Sequence, residues 1–163
     1  MASLGHIAVG MAAARLEGGG LARMVGWSAL SLLPDADVIA FQLGIPYSAP
    51  FGHRGASHSF VAAAAVGLLV GLASKRSKRA RTGLLAFATV ASHGLLDTLT
   101  DGGLGMALLW PFTNARYFAP WRPIPVAPIG LGVLSQRGFY VMAVELAMFS
   151  PLFLYALWPR RRR

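Results

Sequence analysis

The chain contains no cysteine, which excludes disulfides, thiolate metal sites and a cysteine nucleophile. It is also poor in charge. Asp, Glu, Lys and Arg make up 13% of its 163 residues, whereas a soluble domain carries about 25%. Too few charges exist to coat a water-soluble globule. Disorder is excluded as well, because disordered chains are poor in apolar residues and this one is 55% hydrophobic. No G-x-S-x-G elbow occurs, so nothing supports a soluble hydrolase triad. Acids are scarce: six, against 15 Lys and Arg, for a net charge of +9. No internal repeat is evident. The mean hydropathy is +0.55. The expectation is a single integral membrane domain over residues 1–163, an all-α polytopic helical bundle.

Three stretches read as full spans: His58 to Ser74, Gly83 to Thr100 and Phe139 to Trp158. Two shorter apolar stretches precede them, Leu4 to Leu16 and Leu21 to Leu33, separated by Gly18, Gly19 and Gly20. At about 1.5 Å per residue each short stretch reaches about 20 Å, less than the ~30 Å hydrocarbon core, so they form short tilted spans or a re-entrant hairpin. The first is not read as a cleavable signal, since it lacks a basic n-region.

The bases orient this arrangement. Lys75, Arg76, Lys78, Arg79 and Arg81 lie between the third and fourth stretches, and Arg160 to Arg163 follow the fifth. With Arg15 and Arg23, 11 of the 15 bases fall on one side, which short basic loops mark as cytoplasmic. The N-terminus is then outside, the C-terminus inside, and the Pro-rich, aromatic segment Asp101 to Arg137 external. The basicity is topogenic, so nucleic-acid binding is not expected. The lipid bilayer is the expected partner, with the C-terminal arginines as an anchor.

On this topology all four histidines and five of the six acids fall toward the opposite face. His6 opens the first stretch. Asp35 and Asp37 end the second. His53 and His58 precede and open the third. His93 and Asp97, four apart on one helical face, lie in the outer half of the fourth, and Glu145 lies about two turns into the fifth. Asp101, in an Asp-Gly-Gly turn, reads as structural. Glu17 reads as a solvated charge, and Ser57, Ser59, Thr98 and Thr100 as caps or supporting donors. A lone ionised group in hydrocarbon costs several kcal/mol, so such groups persist when paired, cation-bound or facing a wet cavity. Imidazole with carboxylate and no thiolate suits a divalent metal, zinc first and manganese second, as one ion or two. The candidate ligands are His6, Asp35, His53, His58, His93 and Asp97. Asp37 and Glu145 are candidate general bases, although Glu145 can instead pair with Arg116, Arg122 or Arg137. Arg54 is a candidate phosphate clamp.

The strings LLPDADVIAF (Leu32 to Phe41), FGHRGASHSF (Phe51 to Phe60), SHGLLDTLTDGG (Ser92 to Gly103) and LLWPF (Leu108 to Phe112) carry a resemblance. They resemble the membrane-bound, metal-dependent hydrolase family of YdjM/YbcI-like bacterial inner-membrane proteins. RYFAPWRPIPVAPIG (Arg116 to Gly130), the Glu of VELAM and the basic C-terminus extend the match to nearly the whole chain. The resemblance implies the bacterial inner membrane, and it carries over onto His6, Asp35, Asp37, His53, Arg54, His58, His93, Asp97 and Glu145. The His93–Asp97 spacing is also similar to that in helical zinc phospholipase C and P1-nuclease proteins. The favoured expectation is hydrolysis of a lipid-like phosphoester or ester at the outer membrane interface. Two alternatives stay open: a metal-ion or small-solute transporter, and a non-catalytic membrane protein with a structural metal.

Overall fold

The structure, a computed structural model, describes residues 3–159; the expected anchor Arg160 to Arg163 lies outside them. Among the described residues the regular elements are all helical. α1 spans Leu4–Leu16 and α2 spans Leu21–Leu32. A 3-10 turn over Leu33–Val38 and the short α3, Ile39–Gln42, continue α2. α4 covers Phe60–Ala73, α5 Arg79–Thr98 and α6 Gln136–Leu157. Counting α2 to α3 as one rod, the described residues hold five α-helical segments, besides short 3-10 turns.

The lengths differ from the sequence expectation. The second stretch does not stop at Pro34. The Leu33 amide tightens onto the Leu30 carbonyl, and Pro34 then falls in the first turn of a 3-10 segment, where its missing N–H matters little. The rod therefore runs 22 residues, Leu21–Gln42, about 33 Å. It and Gln136–Leu157, also 22 residues, are the two helices long and apolar enough to cross a membrane by length and composition. α4 has only 14 residues, about 21 Å, because Ser59 caps it late by accepting from the Ala62 amide. α5 has 20 residues but opens on Arg79 and Arg81. Among the described residues two helices are thus long and apolar enough to span, and three full spans are not shown.

α1 packs between α2 and α6, α4 packs along α5, and α5 also meets α1 and α2. The interior is built from small residues. Ala13, Ala14 and Ala86 surround Trp27 in one cluster, and Ala63 and Ala91 flank Val90 in the other. Large apolar side chains such as Leu68, Leu84 and Leu154 point outward. The interior meanwhile holds His6, His93, Asp97 and Glu145, each no more than 1% exposed. Small-residue packing without an internal oily core is how helices associate in lipid. The α1–α2 hairpin depends on it: a Cβ on Gly10 would stand 2.5 Å from the Ser28 Cα.

One end of the bundle is stitched by bases. Arg81 donates to the Leu16 carbonyl at 2.7 Å and faces Glu17. Arg15 donates to the carbonyls of Ala156 and Trp158, holding the end of α6. Glu17 is therefore paired rather than simply solvated.

Gly10→Leu should destabilise the protein by about 2 kcal/mol or more, because it overpacks a helix contact with no room to give. Gly26→Ala, with nothing within 4 Å of the added Cβ, should be neutral or stabilising. Thermal unfolding of both variants in detergent checks the contrast; equal melting temperatures would contradict the packing.

Candidate metal centre

The opposite end of the bundle gathers the polar residues. Two come from the 3-10 turn after α2, which presents Asp35 and Asp37. Two more come from α5, where His93 and Asp97 sit one turn apart. The segment joining α3 to α4 delivers His53, Arg54 and His58, and α1 brings His6 from its first turn.

Four of these residues form the centre. Atoms of Asp35, His58, His93 and Asp97 all lie within 4.8 Å of one another and can hold a metal ion. His93 Nε2 is 3.3 Å from Asp35 Oδ1 and 4.0 Å from Asp97 Oδ2. His58 Nε2 is 3.7 Å from Asp35 Oδ1 and 3.9 Å from Asp97 Oδ2. Around a tetrahedral ion with bonds of about 2.1 Å, ligand atoms stand about 3.4 Å apart, so the spacing fits one cation with small adjustments.

The imidazoles are oriented for this task. His93 Nδ1 lies 2.8 Å from the Ser31 carbonyl, which can only accept, so Nδ1 carries the proton and Nε2 a lone pair. His58 Nδ1 sits 2.9 Å from the Ser57 hydroxyl, whose own proton goes to Asp37 Oδ2. This relay likewise places a proton on Nδ1 and turns Nε2 toward Asp35 and Asp97. Both Nε2 atoms are buried without a hydrogen-bond partner. A buried polar nitrogen without a partner is costly, and a metal ion at the shared focus would relieve both at once.

The remaining expected residues surround the four. His6 is fully buried, stacks on His93 with ring centroids 3.6 Å apart, and places Nε2 3.3 Å from Asp97 Oδ1, the carboxylate oxygen away from His58 and His93. His53 stands outside the four, its Nδ1 2.6 Å from Asp37 Oδ1. Asp37 is not a spare carboxylate. Its oxygens accept from His53, the Ser57 hydroxyl and the Arg54 amide, so it ties the loop to the turn after α2. Arg54 is buried in a left-handed conformation, φ 63°, donates to the Gly102 carbonyl, and sets Nε 3.6 Å from Asp97 Oδ2. Glu145 accepts from the Gly5 amide at 3.1 Å. It thus caps the start of α1, which has no side-chain cap of its own, and fixes the turn that carries His6. Asp101, read as structural, accepts from the Val126 amide at 2.6 Å.

Three contributors escaped the sequence reading. Gly94 is the first: a Cβ there would lie 2.6 Å from the His58 carbonyl oxygen, so glycine lets the His58 backbone touch α5. A glycine inside an apolar helix is the signal that marks such a contact. Arg116 is the second. Instead of pairing with Glu145, it donates to the carbonyls of Tyr47, Ala49, His53, Arg54 and Gly105, knitting the 47–54 loop to the 105 turn. Its partial burial pulls its pKa below the usual arginine value, against the opposing influence of Tyr47 and Asp37. The Ser31 carbonyl is the third, and backbone acceptors leave no trace in a sequence.

A cavity of about 450 Å³ opens beside the centre. Asp35, Asp97, His53 and Arg54 line its polar side, and Val38, Val126, Pro128, Ile129 and Val133 its apolar side.

A match to the family described as YdjM inner membrane protein covers residues 1–161. This chain belongs to the YdjM family. Inner membrane protein YbcI of Escherichia coli (strain K12) is 43% identical over 140 residues, covering 82% of this chain and 81% of that protein. No solved structure matches the chain. The YdjM-family membership makes the chain an inner membrane protein, consistent with its two long apolar helices and inverted packing.

Asp97→Ala and His58→Ala should abolish tight zinc binding. Asp37→Asn should weaken it 10–100-fold although Asp37 is not among the four, as is usual when a ligand's orienting partner is removed. Titration against a chromogenic chelator reads all three; wild-type affinity in Asp37→Asn would remove its positioning role. Gly94→Ala should likewise weaken binding by displacing His58.

Proposed function

We propose that this YdjM-family protein is a membrane-embedded, metal-dependent hydrolase of a lipid-like phosphoester, with zinc as the first candidate ion and manganese the second. One observation carries the reading. Two imidazole Nε2 atoms and two carboxylates converge where a cavity has a polar floor, with Arg54 among the carboxylates, and an apolar wall. That combination suits a substrate with a charged ester head and a hydrocarbon body.

Asp35, His58, His93 and Asp97 would hold the ion, with His6 and His53 beside them. When bound, such an ion lowers the pKa of water and polarises a phosphoryl oxygen. The chain's own groups would do the rest. Arg54 would meet a phosphate oxygen through its guanidinium, held rigid by Gly102. Asp37 would keep His58 and His53 in place. The cavity wall of Val126, Pro128, Ile129 and Val133 would exclude water and seat the hydrocarbon. Glu145, tied to the α1 terminus, would support His6 rather than act as a base.

The stitched basic end, with Arg15, Arg81 and the nearby Lys75 to Arg79, would face the cytoplasm, and the metal centre the outer interface. This orientation places the N-terminus outside. A centre at one end of the bundle, rather than midway with access from both sides, disfavours a transporter.

Zinc- or manganese-loaded protein in mixed micelles should release product from a panel of lipid phosphomonoesters and phosphodiesters. Asp97→Asn should lower turnover at least ~100-fold, and Arg54→Gln should mainly raise KM. No hydrolysis by fully metal-loaded protein, or equal rates in Asp97→Asn, would refute the reading.

A further inference from the structure

A second cavity, sharing no lining residue with the first, lies in the groove between α4 and α5. It measures about 480 Å³ and is lined by Ala64, Gly67, Leu68, Leu72 and Phe87, with Arg79 at one end. Glycines create it. A Cβ on Gly67 would stand 2.8 Å from the Gly83 carbonyl oxygen, so the helices meet backbone to backbone and their larger side chains splay apart. From Arg79 to Phe87 the groove follows about 12 Å of helix, and Leu68, Leu72 and Leu84 stand exposed along it.

Among the described residues the acid near its basic end is Glu17, which faces Arg81 and accepts from the Thr82 hydroxyl in the first turn of α5. Lys75, Arg76, Lys78 and Arg79 are all exposed and make no ion pair among the described residues. Arg81 is turned away, to Glu17 and the Leu16 carbonyl. No acidic residue occurs anywhere between Asp37 and Asp97. The same end is the N-terminus of the 20-residue α5, where Lys78 provides no side-chain cap. An α5 N-terminus without a side-chain cap and the exposed cations of the α4–α5 turn therefore lie at one end of an apolar slot that Arg79 itself lines.

We infer that this groove is a binding site for an anionic phospholipid, its phosphate at the α5 N-terminus among Lys75, Lys78 and Arg79 and an acyl chain along Leu72, Leu68 and Phe87. Charge complementarity selects the lipid: a zwitterionic headgroup adds a second cation where four already stand, and a soluble anion leaves the slot exposed. The site is independent of the metal centre.

The test uses the full-length protein, extracted gently from vesicles of equal phosphatidylglycerol and phosphatidylcholine, with retained lipid counted by native mass spectrometry. The site predicts one phosphatidylglycerol per chain, retained at least ~10-fold over phosphatidylcholine. A quadruple variant, Lys75→Gln with Arg76→Gln, Lys78→Gln and Arg79→Gln, should lose that preference. Ala64→Trp, which fills the groove and leaves every charge in place, should lose retention of phosphatidylglycerol. Equal retention of the two lipids by the wild type, wild-type retention in Ala64→Trp, or an unchanged preference in the quadruple variant would each overturn the assignment. So would displacement of the lipid by millimolar inorganic phosphate, which would mark a simple anion site. If the quadruple variant does not fold, the wild-type comparison and Ala64→Trp decide.

Discussion

Carboxylates and imidazoles buried together in a bundle of alanines and glycines set the terms for the rest of this molecule. Asp97 and His93 on α5 are almost fully enclosed, as is His58 opposite them. Asp35 and Asp37 add two further carboxylates, and among the described residues Arg54 is the cationic side chain paired to the group. Desolvating such charges is expensive and is offset only by close counter-charge and complete hydrogen bonding. The Nε2 atoms of His58 and His93 are among the buried polar atoms left without hydrogen-bond partners, and they lie within the space one divalent ion would fill.

Much of the surrounding architecture serves to bring these groups together. His58 reaches α5 because Gly94 has no side chain, and Ser57 and Asp37 fix the ring once there. Arg116 gathers five backbone carbonyls from a loop that has little regular structure to satisfy them. Glu145 sets the start of α1 and thereby the level of His6. At the other end Arg15 and Arg81 tie off helix termini, and the unpaired bases of the α4–α5 turn face outward. The molecule thus has one end that collects ligands and another that collects cations, a polarity suited to a protein lying in an asymmetric membrane.

The residues of the centre were legible in sequence because polar groups in an apolar chain are conspicuous: every histidine lies in or beside it. Their division of labour was not. Asp37 read as a candidate base, and only the hydrogen bonds show that it also anchors His53, Arg54 and Ser57. Glu145 suggested an arginine partner; one group it accepts from is a backbone amide, Gly5, which spacing cannot reveal. The helix lengths were misjudged for a related reason. Pro34 normally ends an α-helix, yet a switch to 3-10 geometry carries the rod on to Gln42, whereas the apolar run after His58 becomes a helix of only 14 residues. Composition reported where the chain is apolar, not where its hydrogen bonds begin and end.

The account stands or falls on whether a cation occupies the focus of Asp35, His58, His93 and Asp97. Elemental analysis of the full-length protein, purified gently in detergent from metal-supplemented buffer, measures this directly. The geometry predicts about one tightly held divalent ion per chain, zinc or manganese. A chain that folds with its helices intact and retains no metal would contradict it.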